Sequence, residues 1–264
     1  MNNQTIEQLN NRNLDKCYFC IYSIPIPIFL NSGGDKNYLV NKKYILIFYG
    51  CNLQGKRRYI SSVIADDLDK PSLWYDFFLS WKNKGLETIL YALLPMDSNI
   101  RKSIKIAFPN IEIFNSYCES IMKISRYFTL KYSSSNFDIV RKIYVSESLD
   151  DYYIAYNDFL DIFSNSRFLI DLLNDDFIKA KDNYRFNFSL RKHIFAFYFI
   201  RELSKKLVVI SHSKPFFSSV DDFISNCINI IQITEKKNYC SKNDWISLIN
   251  SIYDDKKDLI KCYL

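Results

Sequence analysis

The sequence has little glycine, proline or histidine and lacks a long apolar segment. Its 264 residues include 5 Gly, 6 Pro and 2 His, and no glycine-rich loop that cradles a nucleotide phosphate is present. His193 and His212 each stand alone, so we expect structural roles for them rather than pairing with a nucleophile. The apolar segments are far shorter than the roughly 20 residues that cross a membrane, so no transmembrane helix is predicted.

The cysteines do not form a pattern typical of secreted proteins. There are seven, an odd number, and the amino-terminal residues are polar rather than a secretory leader. We therefore predict reduced thiols and a cytoplasmic protein. Cys17 and Cys20 have half the spacing of a zinc site, but no second Cys or His pair follows at ligand distance. Both lie in a predicted strand, so buried thiols are favoured over zinc.

The composition favours a globular protein with a real core. Apolar residues make up 48% and aromatic residues 17% of the chain, enough for one sizeable domain or two small ones. The net charge is +6, from 35 basic and 29 acidic residues. This charge is compatible with a polyanionic partner such as DNA but does not require one.

Residues 72–116 are typical of a helix, strand, helix, strand unit. Helical spacing of apolar residues predicts the first helix, which Ser72 is expected to cap and Gly85 to follow in a left-handed conformation. Residues 88–94 form a continuous apolar run that predicts a buried strand, and 111–114 predict another. Ser98 is expected to cap the helix between them, which implies a parallel pair in an α/β domain.

This second helix has two different faces. Its apolar residues recur on one side, and they are Ile100, Ile104, Ala107 and Phe108. Arg101, Lys102 and Lys105 fall on the other side. The spacing therefore predicts a buried face and a basic face exposed to solvent.

Three strands are predicted before this unit and mainly helices after it. The strands are 18–30, 44–49 and 58–64, separated by polar turns at 31–37 and 52–56. Pro25 and Pro27 fit an edge strand or a bulge better than a central strand. Beyond residue 116, a helix is predicted over 118–132 and an all-helical insertion over 138–180.

The order of landmarks in residues 72–116 resembles the catalytic centre of the mutator family of bacterial insertion-sequence transposases. The landmarks are a helix with Trp74, an (N/R)-x-G-(L/V) turn at 83–86, a strand that ends in Asp-Gly in the family, and an A-I-x-x-x-F-P helix that ends here at Pro109. Their spacing agrees with the family without a gap.

The resemblance extends over roughly residues 12–253. RNLDKCY at 12–18 is similar to the family's R-P-L-D-x-x-Y, and GCNLQGK at 50–56 to G-x-N-x-x-G-K. Residues 186–206 look like a family helix that contains an R-K pair, here Arg191 and Lys192, and 243–253 resemble the family's closing N-W segment. The family's helix-turn-helix DNA-binding region is not covered, and whether another chain supplies it stays open.

The resemblance implies a ribonuclease-H-like α/β fold. In this fold a mixed sheet has three antiparallel strands followed by parallel strands with helices, and here an all-helical insertion interrupts it. The expected division is a first part of the core at 1–134, the insertion at 135–185, and a core-completing helix with carboxyl-terminal helices at 186–264.

The resemblance also implies a three-carboxylate site, and its acids are replaced in this chain. In the family two divalent cations between three carboxylates activate the attacking hydroxyl and stabilise the leaving oxygen. Counting from the landmarks places the three positions on Ile24, Pro95 and Arg201. None offers the oxygen anion that Mg²⁺ needs. We therefore expect no catalytic residues, no metal site, no cofactor and an inactive, degenerate transposase.

Two neighbouring acids are candidates to rescue the site, and Mg²⁺ is expected only if they do. Asp97 lies two residues after Pro95, and Glu202 lies one after Arg201. One residue turns a helical side chain by about 100°, so Glu202 is expected to point away from the direction of Arg201. Asp97 adjoins the start of a helix, where capping is its simpler role.

Three classes of function remain open. The chain is an active DNA transposase, a non-catalytic module that binds DNA or pairs with an intact transposase or with itself, or a structural protein recruited for an unrelated contact. Six basic residues are candidate phosphate contacts: Arg57, Arg58, Arg101, Lys102, Lys105 and Arg201. A solvated helix face explains Arg101, Lys102 and Lys105 equally well. For Arg201 an ion-paired or solvated side chain is favoured.

Overall fold

The computed structural model describes residues 3–31, 40–67, 70–117, 120, 123–124, 127, 136–194, 197–237 and 240–263. The chain forms two compact units. The first comprises Met1–Ile113 and Leu203–Leu264, and the second comprises Phe114–Glu202. Most of the predicted helix 118–132 and the turn around residues 32–37 lie outside the described residues.

Five strands of the described chain form one mixed sheet. They are β1 (Cys17–Asn31), β2 (Val40–Asn52), β3 (Arg57–Ile64), β4 (Thr88–Leu94) and β5 (Glu112–Asn115). Their order in the sheet is β3-β2-β1-β4-β5. The first three strands pair antiparallel, and β4 pairs parallel with β1. The predicted α/β class and the three antiparallel strands are confirmed.

Helices precede, cover and follow these strands. They are α1 (Asn3–Asn11), α2 (Pro71–Asn83), α3 (Ser98–Ala107), α4 (Asn136–Tyr144), α5 (Leu149–Phe163), α6 (Arg167–Ala180), α7 (Phe188–Ile194), α8 (Phe197–Ser211), α9 (Val220–Glu235) and α10 (Lys242–Ile260), with 3-10 helices at Ala65–Asp67 and Lys181–Arg185. The helices predicted over residues 138–180 are present as α4 to α6. No helix in these ranges has the length and apolarity to cross a membrane.

The start of α2 differs from the prediction. The helix begins at Pro71, and Lys70 is its N-cap without a side-chain hydrogen bond. The predicted cap by Ser72 is wrong, because a proline at the first helical position already has a helical φ and no N–H that needs a partner. Gly85 follows the helix with φ +95°, as predicted, because a left-handed residue there costs least for glycine.

The start of α3 is capped by an aspartate rather than by the predicted serine. The Asp97 carboxylate accepts hydrogen bonds from the N–H groups of Asn99 at 2.8 Å and Ile100 at 2.9 Å. Ser98 is the first helical residue. The capping prediction for Ser98 is wrong because the preceding residue has a longer side chain that reaches two free N–H groups.

Aromatic side chains of α2 pack on the sheet. The Phe48 ring of β2 contacts the Trp81 indole with centroids 5.1 Å apart, and Phe78 lies 4.9 Å from Trp81. The Trp81 indole N–H donates to Ser61 Oγ of β3 at 2.9 Å. Each such buried aromatic residue contributes about 2 to 3 kcal/mol through apolar burial. This cluster fixes α2, and with it the position of the following strand β4.

β1 is a central strand, so the edge or bulge interpretation of Pro25 and Pro27 is wrong for the strand as a whole. β2 pairs along nearly all of β1, but the recorded pairing with β4 stops three residues before Pro25. Phe217 N–H donates to the Phe29 carbonyl, and Asn31 N–H donates to the Phe217 carbonyl. The backbone polar groups of these alternate residues of β1 therefore point away from β2. Pro25 and Pro27 continue the same alternation along β1, so their backbone positions also face away from β2. Their missing N–H groups therefore fall where β4 has already ended.

The turn between β2 and β3 is held by an asparagine, a glycine and a tryptophan. Asn52 Oδ1 accepts a hydrogen bond from Lys56 N–H at 2.8 Å. Gly55 has φ +71°, and a Cβ there would lie 3.0 Å from the Trp245 ring. The Trp245 indole N–H donates to the Leu53 carbonyl at 2.9 Å. This part of the GCNLQGK landmark thus has a structural role.

A half-buried ion pair joins α9 to the edge strand β3. The Glu235 carboxylate accepts hydrogen bonds from Arg12 Nη1 at 3.0 Å and from Tyr59 N–H at 2.7 Å. Arg12 also donates to the Tyr59 carbonyl. The two charged side chains are only 26% and 13% exposed, and these hydrogen bonds offset the cost of removing them from water.

A buried arginine organises the second unit. Arg191 is 3% exposed, and its guanidinium donates to the carbonyls of Phe186 at 3.1 Å, Ser146 at 3.0 Å and Glu147. It also lies 4.1 Å from the centre of the Tyr184 ring. Burial lowers the pKa of Arg191. The R-K landmark therefore ties α7 to the connection between α4 and α5.

Replacing Arg191 by lysine is expected to destabilise the second unit by about 3 kcal/mol, because one ammonium cannot reach three carbonyls arranged around a planar guanidinium. Amide hydrogen exchange of α4, α5 and α7 measures the loss. The matched control is Arg185→Lys, since Arg185 is exposed, and its expected effect is below about 0.5 kcal/mol. Equal effects of the two variants would contradict the assigned role.

Candidate functional site

The parallel pairing of β1 with β4 brings Ile24 and Pro95 together. The last recorded pair between these strands is Tyr22 with Leu93. Continued by two residues, this register sets Ile24 of β1 against Pro95, the first residue after β4. The first two positions that the resemblance assigns to carboxylates are therefore neighbours at the end of β4.

Neither residue can serve as a carboxylate ligand. Ile24 is fully buried, opposite Ile47 of β2, and its side chain is hydrocarbon. Pro95, just past the end of β4, is half-buried and offers only its backbone carbonyl. Mg²⁺ prefers a nearly octahedral set of oxygens with one or two carboxylates, so these residues do not fit a divalent cation.

The Arg101 guanidinium occupies the same strand end. Its Nε donates to the Pro95 carbonyl at 2.7 Å, and its Nη2 donates to the Leu94 carbonyl at 3.2 Å. Helical spacing had placed Arg101 on the exposed basic face of α3. The structure instead turns its head group back against β4, because the last carbonyls of that strand need donors. A fixed positive charge at this point opposes the binding of another cation.

The rescue candidate Asp97 lies next to this strand end but is engaged elsewhere. Its Oδ1 accepts the two N–H groups at the start of α3 described above. This is the capping role that the sequence favoured. The charge of a carboxylate at a helix N-terminus is stabilised there.

Arg201 and Glu202 belong to the second unit, whereas Ile24 and Pro95 belong to the first. Arg201 is half-buried on α8, beside the fully buried Ile200, and Glu202 is exposed. The two neighbours thus face different directions on the helix, as the 100° step predicts.

The matched family identifies the chain. Residues 2–228 of this 264-residue chain match a family model described as Transposase, Mutator family. The chain belongs to the mutator family of transposases. No curated protein matches it. The matched part of this transposase-family chain includes β1 to β5, Arg191 and Arg201, whereas the N-W resemblance at residues 243–253 lies beyond the match.

The candidate DNA contacts of the transposase chain do not form one cluster. Arg57 and Arg58 begin β3, and β2 and β1 separate that strand from β4, which amounts to three interstrand spacings or about 14 Å. Arg58 pairs with Asp15 at 3.5 Å. Lys102 and Lys105 are exposed on α3. The structure therefore separates the β3 arginines from the end of β4 that Arg101 contacts.

The lysines of α3 have a neighbour that sequence spacing did not reveal. Lys82 of α2 lies 5.3 Å from the centre of the Phe108 ring, at the end of α3. Its place on the polar face of α2 was predictable, but its proximity to α3 depends on how the two helices pack. Among the described residues, neither Lys102 nor Lys105 forms an ion pair.

The cysteine pair of the transposase chain is buried in β1. Cys17 is 4% exposed and Cys20 is 0% exposed. Burial raises the pKa of the Cys17 thiol to about 12. Over the ranges that the structure describes, no group of three or more His, Cys, Asp or Glu side chains is placed to hold a metal ion.

Alkylation by iodoacetamide at pH 8 tests the state of Cys17. A thiol with pKa near 12 is ionised to about one part in 10⁴ at this pH, so we expect modification at least about 10³-fold slower than for a small-molecule thiol. Mass spectrometry of peptides measures the rate, with the exposed Cys262 as the internal reference. In urea both thiols should react alike. Rapid modification of native Cys17 would contradict the described burial.

Proposed function

We propose that this chain is a degenerate mutator-family transposase domain without two-metal catalysis. The observation that carries the proposal is the end of β4, where Ile24 and Pro95 stand at the expected carboxylate positions and Arg101 binds the strand carbonyls. In-line phosphoryl transfer with two metals depends on anionic oxygen ligands. Ile24, Pro95 and the Arg101 guanidinium supply no anionic oxygen.

We further propose that the fold is ribonuclease-H-like. The strand order β3-β2-β1-β4-β5 supports this architecture, because three antiparallel strands are followed by β4 parallel to β1. The helices α4 to α6 come between β5 and α8 in the chain, in agreement with an insertion at 135–185 between core parts at 1–134 and 186–264.

Calorimetric titration of the full chain with Mg²⁺ and Mn²⁺ tests the loss of the metal site. We expect no saturable binding below about 1 mM, because carboxylate sites tight enough for function bind in or below that range. Stoichiometric binding would contradict the proposal. If binding occurs, Asp97→Asn and Glu202→Gln identify a rescued site, since loss of binding in either variant would assign the ligand.

A non-catalytic DNA-binding role is the second candidate, and the α3 lysines favour it. The second unit contains twelve basic and twelve acidic residues, so the whole net charge of +6 belongs to the first unit. Lys102 and Lys105 project from that unit with exposed side chains. Lysines of this kind contact phosphates and release counterions, and transposase-family membership makes DNA the expected polyanion.

Reversing both α3 lysines tests this role. The double variant Lys102→Glu with Lys105→Glu is expected to weaken binding to duplex DNA at least tenfold at low salt. The negative slope of log K against log salt should become shallower by about 2. Fluorescence anisotropy over a salt series measures both quantities. The control is Lys205→Glu with Lys206→Glu, an exposed pair on α8 with the same change in net charge. Equal losses would leave general electrostatics as the cause and contradict a specific α3 contact.

A further inference from the structure

The outward face of α5 combines apolar and acidic side chains. Ile154 and Ile162 are 61% and 57% exposed, and Asp158 and Asp161 lie exposed between them. At steps of four, seven and eight residues, all four occupy one stripe of the helix. We call these four residues the α5 stripe.

The acids of the α5 stripe are not neutralised by nearby bases. From residue 143 to residue 166 the sequence has no Lys or Arg, whereas its acidic residues are Glu147, Asp150, Asp151, Asp158 and Asp161. Neither Asp158 nor Asp161 forms an ion pair with another residue that the structure describes. The stripe is therefore a locally negative surface with two large exposed apolar side chains.

The outward face of α3 has the opposite charge and a similar layout. Ile106 is 65% exposed, and Lys102 lies four residues before it and Lys105 one residue before it, both exposed. α3 contains no acidic residue from Ser98 to Ala107. We call these three residues the α3 stripe. The two stripes thus complement each other in charge, and each has isoleucine to bury.

We propose that two copies of this chain associate by docking the α5 stripe of one copy on the α3 stripe of the other. Asp158 and Asp161 then meet the two lysines, and the isoleucines leave water together. Each copy carries both stripes, so every copy offers both halves of the contact. Exposed ion pairs contribute little individually, so apolar burial supplies the affinity, and the lysine–aspartate pairs select the partner face.

Self-association by this route excludes DNA from the same lysines. Lys102 and Lys105 cannot contact phosphates while they face Asp158 and Asp161 of a second copy. The acidic stripe consequently takes the place of a phosphate backbone, and duplex DNA and the second copy compete. The docking itself rests neither on DNA binding nor on the loss of the metal site.

Charge reversal with complementation tests the docking. One variant carries Asp158→Lys and Asp161→Lys, and the other carries Lys102→Glu and Lys105→Glu. Each alone places like charges at the contact between two copies, so the dissociation constant of self-association should rise at least about tenfold. In a one-to-one mixture the lysine-bearing α5 stripe of one variant meets the glutamate-bearing α3 stripe of the other, and mixed association should be restored. Sedimentation velocity of the full chain at low salt, without metal or DNA, measures association.

The outcomes are separable from those of the metal and DNA experiments. Restored association in the mixture, with circular dichroism showing both variants folded, supports the docking. A wild-type chain that stays monomeric at high concentration overturns it. Wild-type association that neither reversal weakens also overturns it, and so does weakening by the control pair Lys205→Glu with Lys206→Glu to the same extent. Neutral Ile106→Ser should weaken association without changing its salt dependence.

Discussion

The parallel pairing of β4 with β1, and the point where it stops, determine the rest of the site. β4 ends at Leu94, whereas β1 continues to Asn31. The end of β4 leaves its last carbonyls to be satisfied by Arg101. It also allows two prolines in a central strand. One strand end thus accounts for the bound guanidinium and for an otherwise unfavourable sequence.

The family landmarks that this chain retains have structural roles in the described contacts. Asn52 and Gly55 shape the β2–β3 turn, Arg12 joins β3 to α9 through Glu235, and Arg191 organises the second unit. Each satisfies buried backbone groups or fits a close approach that other side chains cannot. In contrast, the positions that the resemblance assigns to carboxylates hold Ile24, Pro95 and Arg201, and under the proposed function their replacement affects chemistry and not this packing. This is the pattern expected of the proposed degenerate transposase domain.

Much of the fold could be predicted from periodicity, and the exceptions have physical causes. The strand 88–94 and the helices around it were found because their apolar residues repeat strongly. Ser72 and Ser98 were wrong as caps because the choice among adjacent residues depends on which side chain reaches a free N–H. The place of Pro25 in the sheet could not be predicted without knowing where β4 ends. The direction of the Arg101 side chain could not be predicted without knowing where its carbonyl acceptors lie. Both are properties of tertiary structure that no local pattern contains.

The prolines of β1 have a consequence for the solubility of the protein. Between the end of β4 and the contact with Phe217, the side of β1 that faces away from β2 presents the carbonyls of Pro25 and Pro27 and lacks their N–H groups. A foreign β-strand that paired with this side of β1 would find acceptors without donors, and half of the hydrogen bonds of its ladder would stay unmade. A sheet interrupted in this way is protected against edge-to-edge aggregation without the need for a charged residue inside its core.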